Sequence, residues 1–349
     1  MESWQEILRK SITGCSDLQR QLNCETAGLD QVIAAYPMRI NPYYLGLIRE
    51  PHDPLWKQAV PDARELSDNV CMADPLAEEA LSPVPLLVHK YPDRVLFLVS
   101  NQCAMYCRFC TRKRMVGTGR MHITDEGLEN AYAYIRRHPA IREVLLSGGD
   151  PLLLEDEKIS RILHSLRAIP SVEVIRIGSR VPCTLPMRIT DGLVAVLKRY
   201  HPLYINTHFN HPREITAEAA AACGRLADAG IPLGSQTVLL RGVNDDLETI
   251  RTLLRALLRI RVKPYYLFQA DLTQGTDHFR TPVRQGIEIM RGLYGHLSGM
   301  AVPTFALDAP GGKGKIPLTP QYILEYKENL IFSNYCGELC SYPESGDAC

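Results

Sequence analysis

Between residues 94 and 298 the sequence repeats one pattern six times: a short apolar, β-rich run followed by a charged stretch with helical patterning. The runs are 94–100, 143–147, 173–178, 203–208, 233–239 and 262–268, and the helical stretches lie near 123–137, 156–167, 190–199, 214–229, 246–260 and 282–298. A strand-then-helix unit about every 30 residues signals parallel βα units, because parallel neighbours need a crossover long enough to hold a helix. Six units fit either an open doubly wound sheet or a partial TIM-like barrel, and periodicity alone does not separate them. In both, active-site residues belong beyond the carboxyl ends of the strands.

Residues 1 to about 90 have a different texture. Trp4, Ile7, Leu8 and Ile12 follow the spacing of an amphipathic helix, and Pro42, Pro51, Pro54 and Pro61 punctuate the later part of the segment, so it reads as helices broken by prolines. It holds no nucleophile or metal cluster and reads as scaffold. The first residues, MESWQEILRK, carry two acids and no apolar core, unlike a signal peptide, and the longest apolar runs are too short to span a bilayer. With 39 basic and 39 acidic residues, the charge calls for neither a nucleic-acid nor a membrane partner. Eleven cysteines, an odd number at uneven spacing, argue for reduced thiols in a soluble cytoplasmic protein rather than a disulfide framework.

Three of those cysteines come directly after the first strand. Cys103, Cys107 and Cys110 stand at C-x3-C-x2-C spacing in Asn101-Gln-Cys-Ala-Met-Tyr-Cys-Arg-Phe-Cys-Thr-Arg112-Lys-Arg114. Three thiolates within eight residues can wrap one soft metal centre. Closed zinc sites and ordinary 4Fe–4S sites use four ligands, so three leave one iron open to a substrate or cofactor. A zinc knuckle with a distant fourth ligand and a redox cysteine pair are the alternatives. At the end of the second strand comes Ser147-Gly148-Gly149-Asp150-Pro151, whose bare glycines let backbone approach a ligand closely.

These motifs resemble those of radical S-adenosylmethionine (SAM) enzymes, and the longer strings narrow the resemblance to the lysine 2,3-aminomutase family. They are Pro83-Val-Pro-Leu-Leu-Val-His-Lys-Tyr91-Pro-Asp-Arg94-Val-Leu-Phe-Leu, Tyr265-Tyr-Leu-Phe-Gln-Ala-Asp271-Leu, His278-Phe-Arg-Thr-Pro282 and Asp308-Ala-Pro-Gly-Gly-Lys-Gly-Lys315. The resemblance covers roughly residues 50 to 343. It implies an α/β fold, a partial (β/α)6 TIM-like barrel with a helical N-terminal region. The corresponding segments are 1–90, a core over 91–300, and a C-terminal segment over 301–349. It also implies an isomerase that moves the amino group of L-lysine from C2 to C3.

By resemblance Cys103, Cys107 and Cys110 hold a 4Fe–4S cluster whose open iron is chelated by SAM. Ser147, Gly148, Gly149 and Asp150 receive the methionyl amino group, and Gln236 and His208 line the SAM side of the cavity; for His208 a satisfied core histidine is the rival reading. The family's PGGGGK motif ends in the lysine that forms a Schiff base with pyridoxal 5′-phosphate (PLP), here Lys315. Lys313 replaces one of its glycines. Chemistry alone admits either amine; position favours Lys315. Arg94 holds the PLP phosphate with Tyr91 beside it, and Arg112 takes the substrate carboxylate. Asp271 and Asp308 clasp the distal ammonium, the pairing a buried cation needs; a turn former and a helix cap are their bland counterparts.

The resemblance further implies a one-electron donor such as flavodoxin or ferredoxin, and it is compatible with a homo-oligomer. Longer members carry a cysteine-bearing zinc segment, with one ligand where Asp246 stands here. Cys336, Cys340 and Cys349 read as free thiols near the end of the sequence, or as ligands to zinc or another cluster. The competing functions are an aminomutase for arginine or ornithine, one making β-lysine for elongation-factor modification, and a radical SAM transferase without PLP. A non-catalytic zinc module is the plainest alternative.

Overall fold

The computed structural model describes residues 2–22 and 24–343. Its centre is a sheet whose strands succeed one another in chain order. They are β1 (Leu87–Tyr91), β2 (Arg94–Ser100), β3 (Glu143–Gly148), β4 (Val174–Gly178), β5 (Leu203–Thr207), β6 (Leu233–Leu239), β7 (Lys263–Gln269), β8 (Thr304–Ala309) and β9 (Gly314–Pro317). Strands β2 to β8 are parallel, while β1 and β9 are antiparallel edges. This order settles the architecture that periodicity left open. A doubly wound sheet reverses direction at a switch point; here no reversal occurs among the described strands, and the sheet curls into a partial barrel. Its two edges come together where Tyr91 Oη of β1 accepts from the Lys315 backbone N–H of β9 at 3.1 Å.

Each of the six anticipated strands is present, and each is succeeded by a crossover helix. The N-terminal helices are α1 (Trp4–Arg9), α2 (Cys15–Leu22), α3 (Leu29–Ala35), α4 (Pro42–Leu45) and α5 (Pro54–Ala59). The crossovers are α6 (Asp125–Arg137), α7 (Asp156–Arg167), a short α8 (Val181–Thr184) ahead of α9 (Asp191–Lys198), α10 (Ala217–Asp228), α11 (Leu247–Arg259) and α12 (Val283–Leu293). Their starts are written in cap residues: Thr124, Thr190, Thr216 and Asp246 each accept a backbone N–H three residues on. Their inner faces are apolar stripes, such as Ile159, Ile162, Leu163 and Leu166 of α7 and Ile250, Leu253, Leu254 and Leu257 of α11.

Several details differ from the sequence reading. Ile12 lies outside α1: Lys10 caps that helix, and Ile12 makes an isolated antiparallel bridge with Ile40. Pro42 and Pro54 begin helices rather than break them, because Asn41 and Asp53 cap the turns in which those prolines occupy the first position. The edges β1, β8 and β9 were not anticipated. Nor was a separate three-stranded meander of β10 (Ile323–Tyr326), β11 (Asn329–Ser333) and β12 (Leu339–Pro343).

The parallel strands sort their side chains by face. In β3, Val144 and Leu146 are buried toward the helices, while Leu145 and Ser147 are half-buried. The same alternation in β6 buries Ser235, Thr237 and Leu239 and leaves Gln236 half-buried. Gln236 pairs with Tyr266, which shares a face with Phe268; Phe268 lies under the Lys315 ammonium at 5.1 Å, so this face looks into the barrel. No described helix is long and apolar enough to cross a membrane.

Candidate active site

The three cysteines occupy the loop that leaves β2, and all three are half-buried. That loop is clamped from the N-terminal region. Glu65, fully buried, accepts from Arg108 Nε at 3.0 Å and from Lys113 Nζ at 2.8 Å, so one carboxylate ties down residues on both sides of Cys110. Arg108 also donates to Pro37 O at 2.9 Å, and Lys113 to Gly275 O at 2.9 Å. The segment read as scaffold therefore shapes the loop.

Arg180, at the end of β4, points Nη1 at Cys107 Sγ across 2.8 Å while Nη2 is held by Glu214 Oε1 at 2.8 Å and Gln58 Oε1 at 2.6 Å. The Arg112 backbone N–H faces Cys110 Sγ at 3.4 Å. Burial, the Asp150 charge and the neighbouring thiols push the Cys103 thiol well above its ordinary range. Burial likewise raises Cys110. Among the described residues no three His, Cys, Asp or Glu side chains converge as a preformed metal cage, these three included. The donor chemistry nonetheless suits an iron–sulfur group. A cation among crowded thiols reverses their mutual penalty, and the adjacent guanidinium offsets thiolate charge.

The glycine turn after β3 has a purpose the sequence did not reveal. A Cβ on Gly148 would lie 2.1 Å from Ser100 O, and one on Gly149 would lie 2.4 Å from Gln102 O. The bare backbone is needed for approach to the cysteine loop, where Gly149 N–H donates to Ser100 O and Asp150 N–H to Gln102 O, both at 2.7 Å. Gly149→Ala is expected to destabilise the chain by about 1–3 kcal/mol, as overpacking against fixed backbone does, measurable as a lower denaturant midpoint. Asp150 is buried with both oxygens committed, accepting from Ser179 Oγ (2.7 Å), Leu152 N–H (3.1 Å), Arg180 N–H (2.7 Å) and Val181 N–H (3.2 Å). It pins the ends of β3 and β4 together.

His208 lies between the Phe109 ring, 5.4 Å away, and Asn210 Oδ1, 3.0 Å from its Nε2. Burial and the Arg180 charge push its pKa down to about 3, so the ring is neutral. Both readings of His208 meet here: its polar contact is a core contact, and its neighbour is the cysteine loop.

Across the barrel, the sheet edges bring a second set together. Asp308 of β8 is directly opposite Lys315 of β9 in the ladder, and Lys315 Nζ donates to its two oxygens at 3.0 and 2.8 Å. Lys313 lies in the preceding turn and is exposed, with no side-chain hydrogen bond among the described residues. Tyr91 abuts the Lys315 backbone, and the Arg94 guanidinium stacks on the Tyr91 ring at 4.0 Å, with Asp93 2.7 Å from its Nη1. An amine, a phenol and a guanidinium in one corner suit an aldehyde bearing a phosphate, which would compete with Asp93 for Arg94.

Asp271 comes just after β7 and faces the same corner. Burial, and then the charge of Asp308, raise its pKa to about 7. Among the described residues its carboxylate has no side-chain or backbone donor, in contrast to Asp308. Arg112 is held by Glu78 through Nε at 2.8 Å and Nη2 at 2.5 Å, and its Nη1 donates to Ser147 Oγ at 3.2 Å. Glu78 gave no signal in sequence, since nothing about its position distinguishes it from a surface acid.

The remaining candidates fall outside both groups. Asp246 is the N-cap of α11, accepting from Thr249 N–H at 2.8 Å. Cys336 is exposed and Cys340 lies on β12, while Cys349 is outside the described residues.

Comparison with known proteins adds an independent line. Residues 97–254 match the model of the radical SAM superfamily, and residues 290–349 match that of lysine-2,3-aminomutase. The chain is 49% identical to the L-lysine 2,3-aminomutase of Clostridium subterminale over 348 residues, covering 98% of this chain and 84% of that one. To the L-lysine 2,3-aminomutase of Methanococcus maripaludis it is 51% identical over 328 residues, covering 93% and 76%. It is also 47% identical to a glutamate 2,3-aminomutase of Clostridioides difficile over 299 residues, covering 85% and 71%.

Proposed function

We propose a function on the premise that this chain belongs to the lysine 2,3-aminomutase family: it is an isomerase that converts L-lysine to β-lysine by moving the amino group from C2 to C3. A 4Fe–4S cluster with SAM supplies one-electron chemistry on carbon, and PLP supplies a carbonyl that carries the migrating nitrogen. The chain's own residues bind, orient and exclude water. Cys103, Cys107 and Cys110 hold the cluster, and the turn of Ser147, Gly148, Gly149 and Asp150, with Gln236 and His208, shapes the SAM side. Lys315 provides the amine for PLP, while Arg94 and Tyr91 take its phosphate. Arg112, oriented by Glu78, receives the substrate carboxylate. This chemistry calls for a reducing cytoplasm and an external one-electron donor of the flavodoxin or ferredoxin kind.

Identity alone leaves the substrate open, because relatives named for lysine and for glutamate match almost equally. One observation carries the choice of lysine: the half-buried, unpartnered Asp271 carboxylate beside Asp308. A carboxylate so placed is under-compensated until a cation arrives, and an anionic side chain would add a third negative charge. Breaking such a pair costs about 3–5 kcal/mol, or roughly two to four powers of ten in kcat/KM. Asp271→Asn and Asp308→Asn should each lose that much lysine turnover with iron content unchanged. The test is anaerobic incubation with SAM, PLP, dithionite and a panel of lysine, ornithine, arginine, glutamate and norleucine, read by mass and chirality. Ornithine and arginine carry the right charge and are separated from lysine only by length. Efficient turnover of glutamate or norleucine overturns the cationic substrate.

The same carboxylate sets a pH dependence. Its raised pKa means that Asp271 is largely protonated below about 7 and ionised above. Only the ionised form attracts an ammonium, so kcat/KM for lysine should rise with pH through that region and fall on the acid side. A kcat/KM profile flat between pH 6 and 8 would contradict it.

A further inference from the structure

Strand β1 brings one more charge to the corner. Lys90 Nζ lies 3.5 Å from Asp308 Oδ1 and 5.6 Å from the centre of the Tyr91 ring, and its side chain is only 14% exposed. Facing it are Asp308 from β8, Lys315 from β9 and Asp271 from the segment after β7, with Glu78 acting on Asp271 from the Arg112 pair and Arg94 stacked beyond Tyr91. Two carboxylates thus meet two ammonium groups. These two cations are not equivalent, because Lys315 is the amine that the proposed function assigns to PLP. Lys90 has no such second role, so its pairing with Asp308 is the one that remains when Lys315 is engaged.

We propose that Lys90 is a positioning residue that acts through Asp308: it is the permanent counter-cation of the aspartate pair, and it sets the corner's demand at one positive charge from the substrate. Two neighbouring carboxylates without a fixed cation share a proton, as like charges in a dry site do. With Lys90 in place Asp271 titrates at about 7; without it the shared proton would be held to still higher pH, and an ammonium would bind more weakly at neutral pH. Lys90 pairs with Asp308 at 3.5 Å, so the unpartnered Asp271 is left as the place the substrate cation fills. A monocationic side chain then neutralises the corner, whereas a neutral one leaves it charged.

This inference rests on the aspartate-clasp reading, and the test separates the two. The loaded enzyme and its Lys90→Met, Lys90→Gln and Lys90→Arg variants are compared for iron content, thermal midpoint, pyridoxal absorbance, and the pH dependence of both kcat/KM and lysine-induced change in that absorbance. Lys90→Met and Lys90→Gln should keep iron and pyridoxal, and shift the acid limb for lysine upward by about one pH unit or more. KM at neutral pH should rise about tenfold or more, with kcat changed less, and Lys90→Arg should restore the wild-type limb. If the acid limb of both neutral variants coincides with that of wild type, or if arginine does not restore it, Lys90 is only a packing residue and the proposal fails. The clasp reading fails on a different result, equal turnover of norleucine and lysine by the unmutated enzyme.

Discussion

Replacing any one of Cys103, Cys107 or Cys110 with Ala is expected to abolish reductive cleavage of SAM and to lower the iron and sulfide held per chain. Each thiolate would hold one iron, so losing any one leaves that iron without its protein ligand. Cys336→Ala and Cys340→Ala should leave cleavage and metal content intact, since Cys336 is exposed and Cys340 lies on the separate meander. The measurement is 5′-deoxyadenosine formed under dithionite together with iron analysis. Loss of the cluster from a tail variant, with retention in a loop variant, would move the metal centre to the tail.

The loop chemistry was legible because it is local. Three cysteines at fixed spacing carry their meaning in eight consecutive residues, and strand periodicity marks the place of the loop. The six βα units were legible for a similar reason, each being an apolar run and a capped apolar stripe. What escaped was through-space. Glu65 clamps Arg108 and Lys113 from more than forty residues upstream, and Glu78 holds Arg112 from thirty-four. Nothing in sequence marks either acid. Strand β8 escaped because its six residues sit between Pro303 and Pro310 and end in Leu-Asp-Ala, too short and too polar to read as a buried strand.

Asp150 teaches a narrower point. Its motif suggested a direct cofactor contact, and geometry gives it four protein donors instead. A buried carboxylate whose acceptor positions are filled is a bracket. Asp271 is the opposite case, a half-buried carboxylate with no donor among the described residues, and that lack of partners is what makes it informative. Side-chain satisfaction, invisible in sequence, separates the two aspartates.

The last expectation concerns which lysine takes the pyridoxal. Lys315→Ala should abolish aminomutase turnover and the absorbance of lysine-linked pyridoxal, while Lys313→Ala should retain both. Spacing could not decide between two amines separated by one glycine, but the ladder distinguishes them. Lys315 is in register with Asp308 across β8 and β9, with its backbone against Tyr91 and its ammonium over Phe268. Lys313 is in the turn, exposed, with no side-chain hydrogen bond among the described residues to orient its amine. Removing Lys315 also takes the closer of two cations from Asp308, so the corner of the variant should show a second change. Asp271 rises further, because Lys315 is among the charges that hold it down. Added methylamine can replace the lost amine in chemistry but not the strand that aimed it, so any rescue of Lys315→Ala should be partial. Loss of the pyridoxal absorbance in Lys313→Ala with retention in Lys315→Ala would show that the family register is displaced by one glycine–lysine step.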